Sequence, residues 1–142
     1  MQKEFRYVST TEKDLVKIAR DITQHLKGNK IFTLNGNLGA GKTTLVKKFV
    51  ENITGFSGAT SPTFNIMHKY EGNGQVVYHY DLYRIKNIQE ISEIGLEEMM
   101  QENYVFIEWP EIASNIIKYY QYVAIDISFN KDYRDIVVSK QH

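Results

Sequence analysis

The sequence predicts an α/β fold: a mixed sheet with a parallel centre and antiparallel edge hairpins, carrying helices on both faces. Three observations lead there. First, the apolar run Ile31-Phe32-Thr33-Leu34 precedes the octet Gly36-Asn37-Leu38-Gly39-Ala40-Gly41-Lys42-Thr43, and Leu45, Val46, Phe49, Val50 and Ile53 then fall at helical spacing. A buried parallel strand, a glycine loop and an amphipathic helix produce that order. Second, Tyr104-Val105-Phe106-Ile107 is another strand-like apolar run, closed by Glu108. Third, alternating segments flank turn residues at 71–74 and 130–133, as hairpin strands do.

The elements follow in order. Glu4-Phe5-Arg6-Tyr7-Val8 alternates and reads as a first strand. Ser9-Thr10-Thr11-Glu12 has capping-box spacing, which starts a helix at about Thr10. Leu15, Ile18, Ala19, Ile22 and Leu26 form its apolar face, and Gly28 stops it. The glycine-loop helix begins at about Lys42 and closes at Gly55. Residues 56–63 are small and polar and read as a loop. Residues 64–70 and 75–82 read as hairpin strands about a turn at 71–74. Residues 88–101 read as a helix interrupted near Gly95. Pro110 stops the 104–107 strand, because the residue before proline continues a ladder poorly. Residues 112–119 read as a short helix, and 123–129 with 134–139 as a C-terminal hairpin.

The length of 142 residues suits a single domain. The 17 basic and 17 acidic residues cancel, so no global field draws the chain to nucleic acid or to a membrane. Contact with RNA then needs a local patch or a partner's surface. There are no cysteines, which removes disulfides and thiolate metal sites. With no signal-peptide pattern and no apolar run long enough for a bilayer, the expected location is the cytoplasm.

The octet matches G-x-x-x-x-G-K-[ST] at every fixed position and is followed by a further hydroxyl, Thr44. This is the P-loop pattern. Its glycines let successive backbone N–H groups turn inward around a polyphosphate. Lys42 reaches the β- and γ-phosphate oxygens, and the Thr43 hydroxyl ligates Mg²⁺. The helix N-terminus adds its partial positive charge. The composition and pattern together predict a P-loop NTPase fold that binds a nucleoside triphosphate with Mg²⁺.

A P-loop also needs an acid at the end of a neighbouring strand to hold the metal and its waters. Glu108, after four apolar residues, has the form of a Walker B acid. Asp81, in Tyr78-His79-Tyr80-Asp81-Leu82-Tyr83-Arg84, ends a strand that alternates. Residue pattern alone favours Glu108, while Asp81 reads equally as a local partner of Arg84. Thr60-Ser61-Pro62-Thr63 is either a γ-phosphate-sensing loop or a simple Ser/Thr turn. Trp109 is a core aromatic or a wall of the site. His25, His68 and His79 lack ligand-like spacing and are assigned to core or surface.

The P-loop, Thr60-Ser61-Pro62-Thr63-Phe64, His79-Tyr80-Asp81-Leu82-Tyr83-Arg84, Ile94-Gly95-Leu96-Glu97-Glu98 and Ile107-Glu108-Trp109-Pro110-Glu111, in this order, resemble the TsaE (YjeE) family of small bacterial ATPases. That family is required to make threonylcarbamoyladenosine (t6A) in tRNA. The resemblance implies an ATPase that is weak alone and acts with the TsaD and TsaB proteins, meeting tRNA only through that complex. It implies ATP and Mg²⁺ as ligands, Lys42, Asp81 and Glu108 as catalytic residues, and Thr43 with Glu108 at the metal. It also implies a nucleotide base lying near Thr11 and near Lys131. Two readings compete. A small-molecule kinase would need an arginine-bearing lid, for which the chain's four arginines and unbroken elements offer little. A nucleotide-dependent binding module would bind ATP without turnover.

Overall fold

The computed structural model describes residues 4–9, 11–37, 39–62 and 64–141. Among them, seven strands form one sheet in the order β1-β7-β6-β2-β5-β4-β3. The strands are β1 (Glu4–Ser9), β2 (Ile31–Asn35), β3 (Met67–Gly72), β4 (Gln75–Asp81), β5 (Tyr104–Glu108), β6 (Tyr122–Asn130) and β7 (Tyr133–Gln141). β2 sits at the centre, parallel to β5 on one side and β6 on the other, and β4 runs parallel to β5. The pairs β3–β4, β6–β7 and β1–β7 are antiparallel. The parallel centre with antiparallel edges is the arrangement the sequence predicts.

The centre is parallel because β2 and β5 are apolar on both faces and must be covered on both. On one face, α1 (Glu12–His25) and α2 (Lys42–Thr54) bury Leu15, Ile22, Leu45 and Phe49 against Phe32, Leu34, Phe106 and Ile125. Phe32 and Phe106 stack with ring centroids 4.8 Å apart, and Phe49 lies 4.8 Å from Phe106. On the other face, the short helices α3 (Gln89–Glu93), α4 (Leu96–Met99) and α5 (Ser114–Ile117) cover Tyr80, Val105 and Ile107. That second layer is uneven. It stops short of β1, whose outward Val8 is 59% exposed. None of the helices among the described residues is long and apolar enough to cross a membrane.

Several boundaries differ from the sequence expectation, each for a local reason. The capping box belongs to Thr11 and Asp14, not to Ser9 and Glu12: Asp14 N–H donates to Thr11 Oγ1 and Thr11 N–H to Asp14 Oδ2. The Ser9 hydroxyl donates to the Thr11 carbonyl instead. Thr10, the expected start of that helix, lies outside the described residues. The strand expected over 64–70 begins at Met67, because Pro62 O accepts from both Asn65 N–H and Ile66 N–H and closes a turn there. Its hairpin turn is only Asn73-Gly74, both at positive φ (54° and 74°), the conformation a two-residue type I′ turn requires. Residues 88–101 agree with the expectation, forming two short helices interrupted at Gly95, at φ 67°. The helix expected at 112–119 is a 3₁₀ turn, Pro110–Ala113, followed by α5.

Gly72 lies against the end of α2, where an added Cβ would meet the Thr54 carbonyl oxygen at 2.1 Å. Gly72→Ala should therefore destabilise the fold by about 2 kcal/mol through overpacking, a fall of roughly 6 °C in Tm for a chain of this length. Thermal denaturation followed by circular dichroism measures it. An unchanged Tm would mean that β3 is not held against α2 as described.

Candidate nucleotide site

The P-loop is shaped by its glycines. Gly39 (φ 82°) and Gly41 (φ 100°) take left-handed conformations, and Gly41 is the N-cap from which α2 begins. Ala40 N–H closes the loop on Asn37 O at 3.0 Å. Gly36 is held by close approach: a Cβ there would stand 2.6 Å from the Ile127 carbonyl of β6. Arg134 of β7 supports the loop from the other side. Its Nε donates to Ala40 O at 3.1 Å, and its guanidinium lies 4.9 Å from the centre of the Phe129 ring.

Lys42 is buried at 5% exposure. Its Nζ donates to the Gly36 carbonyl and lies 3.5 Å from the centre of the Trp109 ring. Burial holds the Lys42 ammonium below its ordinary pKa, while the carboxylates of Glu108, Asp81 and Glu111 pull it back up. A phosphate arriving here would add to that upward pull.

The acids come from two adjacent parallel strands. The register pairs Asp81 at the end of β4 with Glu108 at the end of β5. Glu108 is 2% exposed. The Thr43 hydroxyl lies 3.0 Å from its Oε1 and 2.8 Å from its Oε2, and His79 Nε2 lies 2.6 Å from Oε2. Asp81 is also buried, and its Oδ1 accepts from Tyr83 N–H at 3.0 Å. The chain then turns sharply at Trp109, which adopts φ 56°. That turn carries the indole over Lys42 and edge-on to Tyr83, with ring centroids 4.8 Å apart. A left-handed conformation is unfavourable for a residue with a Cβ and persists where the surroundings impose it.

Lys42, Thr43, Thr44, Gly39, Gly41, Asp81, Glu108 and Trp109 thus line one cavity of about 280 Å³, together with Arg134. Gly36, Asn37 and Ala40 line an adjoining cleft with Ile127, Ser128 and Phe129. Leu38 lies outside the described residues. Thr11 and Lys131 line neither cavity. Thr11 caps α1 and Lys131 sits in the β6–β7 turn at φ 57°. The pairings Ser9↔Arg134 and Phe129↔Arg134 bring both turns to the end of the sheet where Arg134 meets the P-loop. Arg84, a possible partner for Asp81 by sequence, stacks on the Phe64 ring at 4.7 Å. A larger cleft of about 360 Å³ lies on the opposite face, between Thr33, Asn35 and α5. It lacks the glycine loop and the lysine that phosphate chemistry requires at a P-loop.

Two residues of the site escaped the sequence reading. His79, assigned there to core or surface, is buried against Glu108. Its spacing of two from Asp81 puts both on one face of β4, but nothing along the chain points from His79 to Glu108. Arg134 sits at an ordinary strand position that pattern does not distinguish.

A central strand, a glycine loop, a helix capped by the loop's last glycine and an acid on the adjacent parallel strand define a fold of the P-loop NTPase type. The family model described as threonylcarbamoyl adenosine biosynthesis protein TsaE matches residues 9–136, and the chain belongs to the TsaE family. Among its relatives, the tRNA threonylcarbamoyladenosine biosynthesis protein TsaE of Rickettsia felis is 40% identical over 111 residues, 78% of this chain and 65% of that protein. The TsaE of Aquifex aeolicus is 37% identical over 103 residues, 71% of this chain and 73% of that protein. The chain spans 65% and 62% of the Rickettsia felis and Rickettsia conorii proteins that it matches. The crystal structure of YdiB from Bacillus subtilis superposes with a TM-score of 0.76 at 27% identity, covering 100% of this chain and 88% of that one. Family membership implies nucleotide binding.

Lys42 opens α2 and sets its ammonium on the Gly36 carbonyl and the Trp109 ring, outside the two apolar clusters, so Lys42→Ala should lose most triphosphate affinity and keep the fold. Titration calorimetry with ATP, paired with a thermal melt, checks both halves. Undiminished affinity in a folded variant would remove Lys42 from the phosphate site.

Proposed function

We propose that the chain is the ATP-binding and ATP-hydrolysing component of the t6A tRNA-modification machinery, a weak ATPase alone that works with TsaD and TsaB and meets tRNA only through them. The observation that carries this reading is the Thr43 hydroxyl placed on the Glu108 carboxylate beneath the P-loop. The cytoplasm is the corresponding location. The residues fit a Mg²⁺ ion chemically: Thr43, Glu108 and Asp81 offer oxygen atoms, which Mg²⁺ prefers. Among the described residues, no group of three or more His, Cys, Asp or Glu could hold a metal unaided, so phosphate oxygens and water would complete the shell. When bound, Mg²⁺ neutralises charge on the β- and γ-phosphates.

The protein's own part is positional. P-loop N–H groups and Lys42 hold the phosphates and meet charge that grows on them during β–γ cleavage. Glu108 holds Thr43 in place, and Asp81 at the same level orients the attacking water. Trp109, over Lys42, restricts bulk water. The base lies toward Thr11 and Lys131, at the β7 side of the loop. A kinase reading gains nothing from the fold, since no inserted lid interrupts the described elements.

Glu108→Ala should lower ATP turnover by about a hundredfold or more while ADP binding falls only severalfold, because the backbone cradle persists. Phosphate release with and without TsaD and TsaB checks this. Turnover unaffected by Glu108→Ala but abolished by Asp81→Ala would exchange the two acids' roles. Transfer of phosphate to a small acceptor would favour a kinase, and binding without release under every condition a binding module.

The loop between α2 and β3 supports a second expectation. Tyr70 OH donates to Thr60 O and accepts from Thr60 N–H, both at 3.1 Å, and Asp81 N–H donates to Ile66 O at 2.8 Å. The loop is thus tied at Thr60, near its middle, and at Ile66, its last residue, there to a site acid; Thr63 lies outside the described residues. Hydrogen exchange at residues 60–66 should slow with a non-hydrolysable ATP analogue relative to ADP, and slow further with TsaD and TsaB. Equal protection in all states would leave a static binding domain.

A further inference from the structure

We propose that His79 is a positioning residue for the cation site, fixing the Glu108 carboxylate through Oε2 so that Oε1 is presented beside the Thr43 hydroxyl. The proposal rests on Glu108 and Thr43 as the residues that hold Mg²⁺.

Burial is the first ground. Among the described residues, the buried Lys, Arg, His, Asp and Glu side chains are Lys42, His79, Asp81 and Glu108. Three of them line the P-loop cavity, and the fourth, His79, touches Glu108. A histidine placed for packing alone has no reason to sit in that group. Direction is the second ground. His79 and Asp81 are two apart on β4, as Phe106 and Glu108 are on β5, and the register pairs His79 with Phe106 and Asp81 with Glu108. All four side chains therefore face α2, where Phe106 packs on Phe49. His79 reaches diagonally across to Glu108 from below.

The third ground is the asymmetry of the contacts. A carboxylate offers only acceptors, so His79 Nε2 carries the proton and donates. The Thr43 hydroxyl lies at 2.8 and 3.0 Å from the two oxygens. One hydroxyl shared so evenly does not choose between them. His79, at 2.6 Å from Oε2, does. Oε2 becomes the anchored oxygen, and Oε1 keeps only the longer hydroxyl contact. Outer hydrogen bonds of this kind orient metal-binding carboxylates, and their loss typically costs about 10–100-fold in metal affinity.

Three variants separate donation from packing. His79→Gln can place an amide N–H near the position of Nε2, His79→Asn is too short to reach, and His79→Phe keeps the ring without a donor. The measurement is Mn²⁺ binding to the ADP-loaded protein, read from the electron paramagnetic resonance signal of free Mn²⁺, with ADP affinity in EDTA and a thermal melt alongside. His79→Phe and His79→Asn should weaken Mn²⁺ binding by about tenfold or more, and His79→Gln should stay within about threefold of the parent. ADP affinity in EDTA should be alike in all. Should His79→Phe not fold, the Asn and Gln pair carries the comparison. Parent-like Mn²⁺ affinity in the Asn or Phe variant would overturn the proposal, as would a Gln variant no better than they are. Glu108→Gln is the control: if it leaves Mn²⁺ affinity intact, the metal reading itself fails, whereas a loss there with none at His79 refutes only His79.

Discussion

The site depends on one buried carboxylate. Glu108 is almost without solvent, and an ionised group in that position is tolerated only where hydrogen bonds replace its water. The replacements come from two other elements: the Thr43 hydroxyl at the N-terminus of α2 and the His79 imidazole on β4. Glu108 thereby links β5 to both. The left-handed glycines must deliver α2 so that Thr43 is its second residue, and β4 must run parallel to β5 in the register that sets His79 one step below Glu108. Removing a single partner would leave a buried acceptor short of a bond, at a cost of about 1–3 kcal/mol and more for a charged group.

The same row of strand ends connects the acids to the loop that follows α2. Leu82 N–H donates to Glu108 O, and Asp81 N–H donates to Ile66 O. Backbone bonds therefore run from Glu108 through the Asp81–Leu82 step to the end of the loop, while Tyr70 and His68 hold Thr60 near its middle. Under the proposed function, a ligand that moves Thr43 or Glu108 would act on the stretch from Thr60 to Ile66, which is held at those two residues. Exposed Phe64 sits in that segment, with Arg84 stacked on it.

Much of this was readable from residue order, and what was not has physical causes. Local chemistry identified the P-loop, because a strand, glycines in sequence and a helical period each leave their own mark. It also singled out Glu108 as a candidate, since four apolar residues before one acid describe a buried strand reaching a surface, and that carboxylate lines the cavity with Lys42 and Thr43. Boundaries were poorer where two local signals competed. Ser9 and Thr11 both offered caps, and the outcome depended on Asp14 returning a bond to Thr11. Phe64 and Ile66 carry strand-forming side chains, but the Pro62 carbonyl captures the N–H groups of Asn65 and Ile66 and holds them in a turn. His79 and Arg134 were invisible for a different reason. Their roles exist only across strands, 29 residues from Glu108 and 94 from Ala40, and no spacing along the chain encodes that meeting.

In the proposed function, Glu108 and Thr43 form the metal-bearing floor of a nucleotide site. The most direct measurement is an anomalous difference map from crystals grown with Mn²⁺ and a non-hydrolysable ATP analogue. The expected result is a single strong Mn²⁺ peak between the Thr43 hydroxyl, the Glu108 side and the β- and γ-phosphates, with the phosphates inside the P-loop. Nucleotide bound elsewhere, or a metal peak remote from both Thr43 and Glu108, would contradict it.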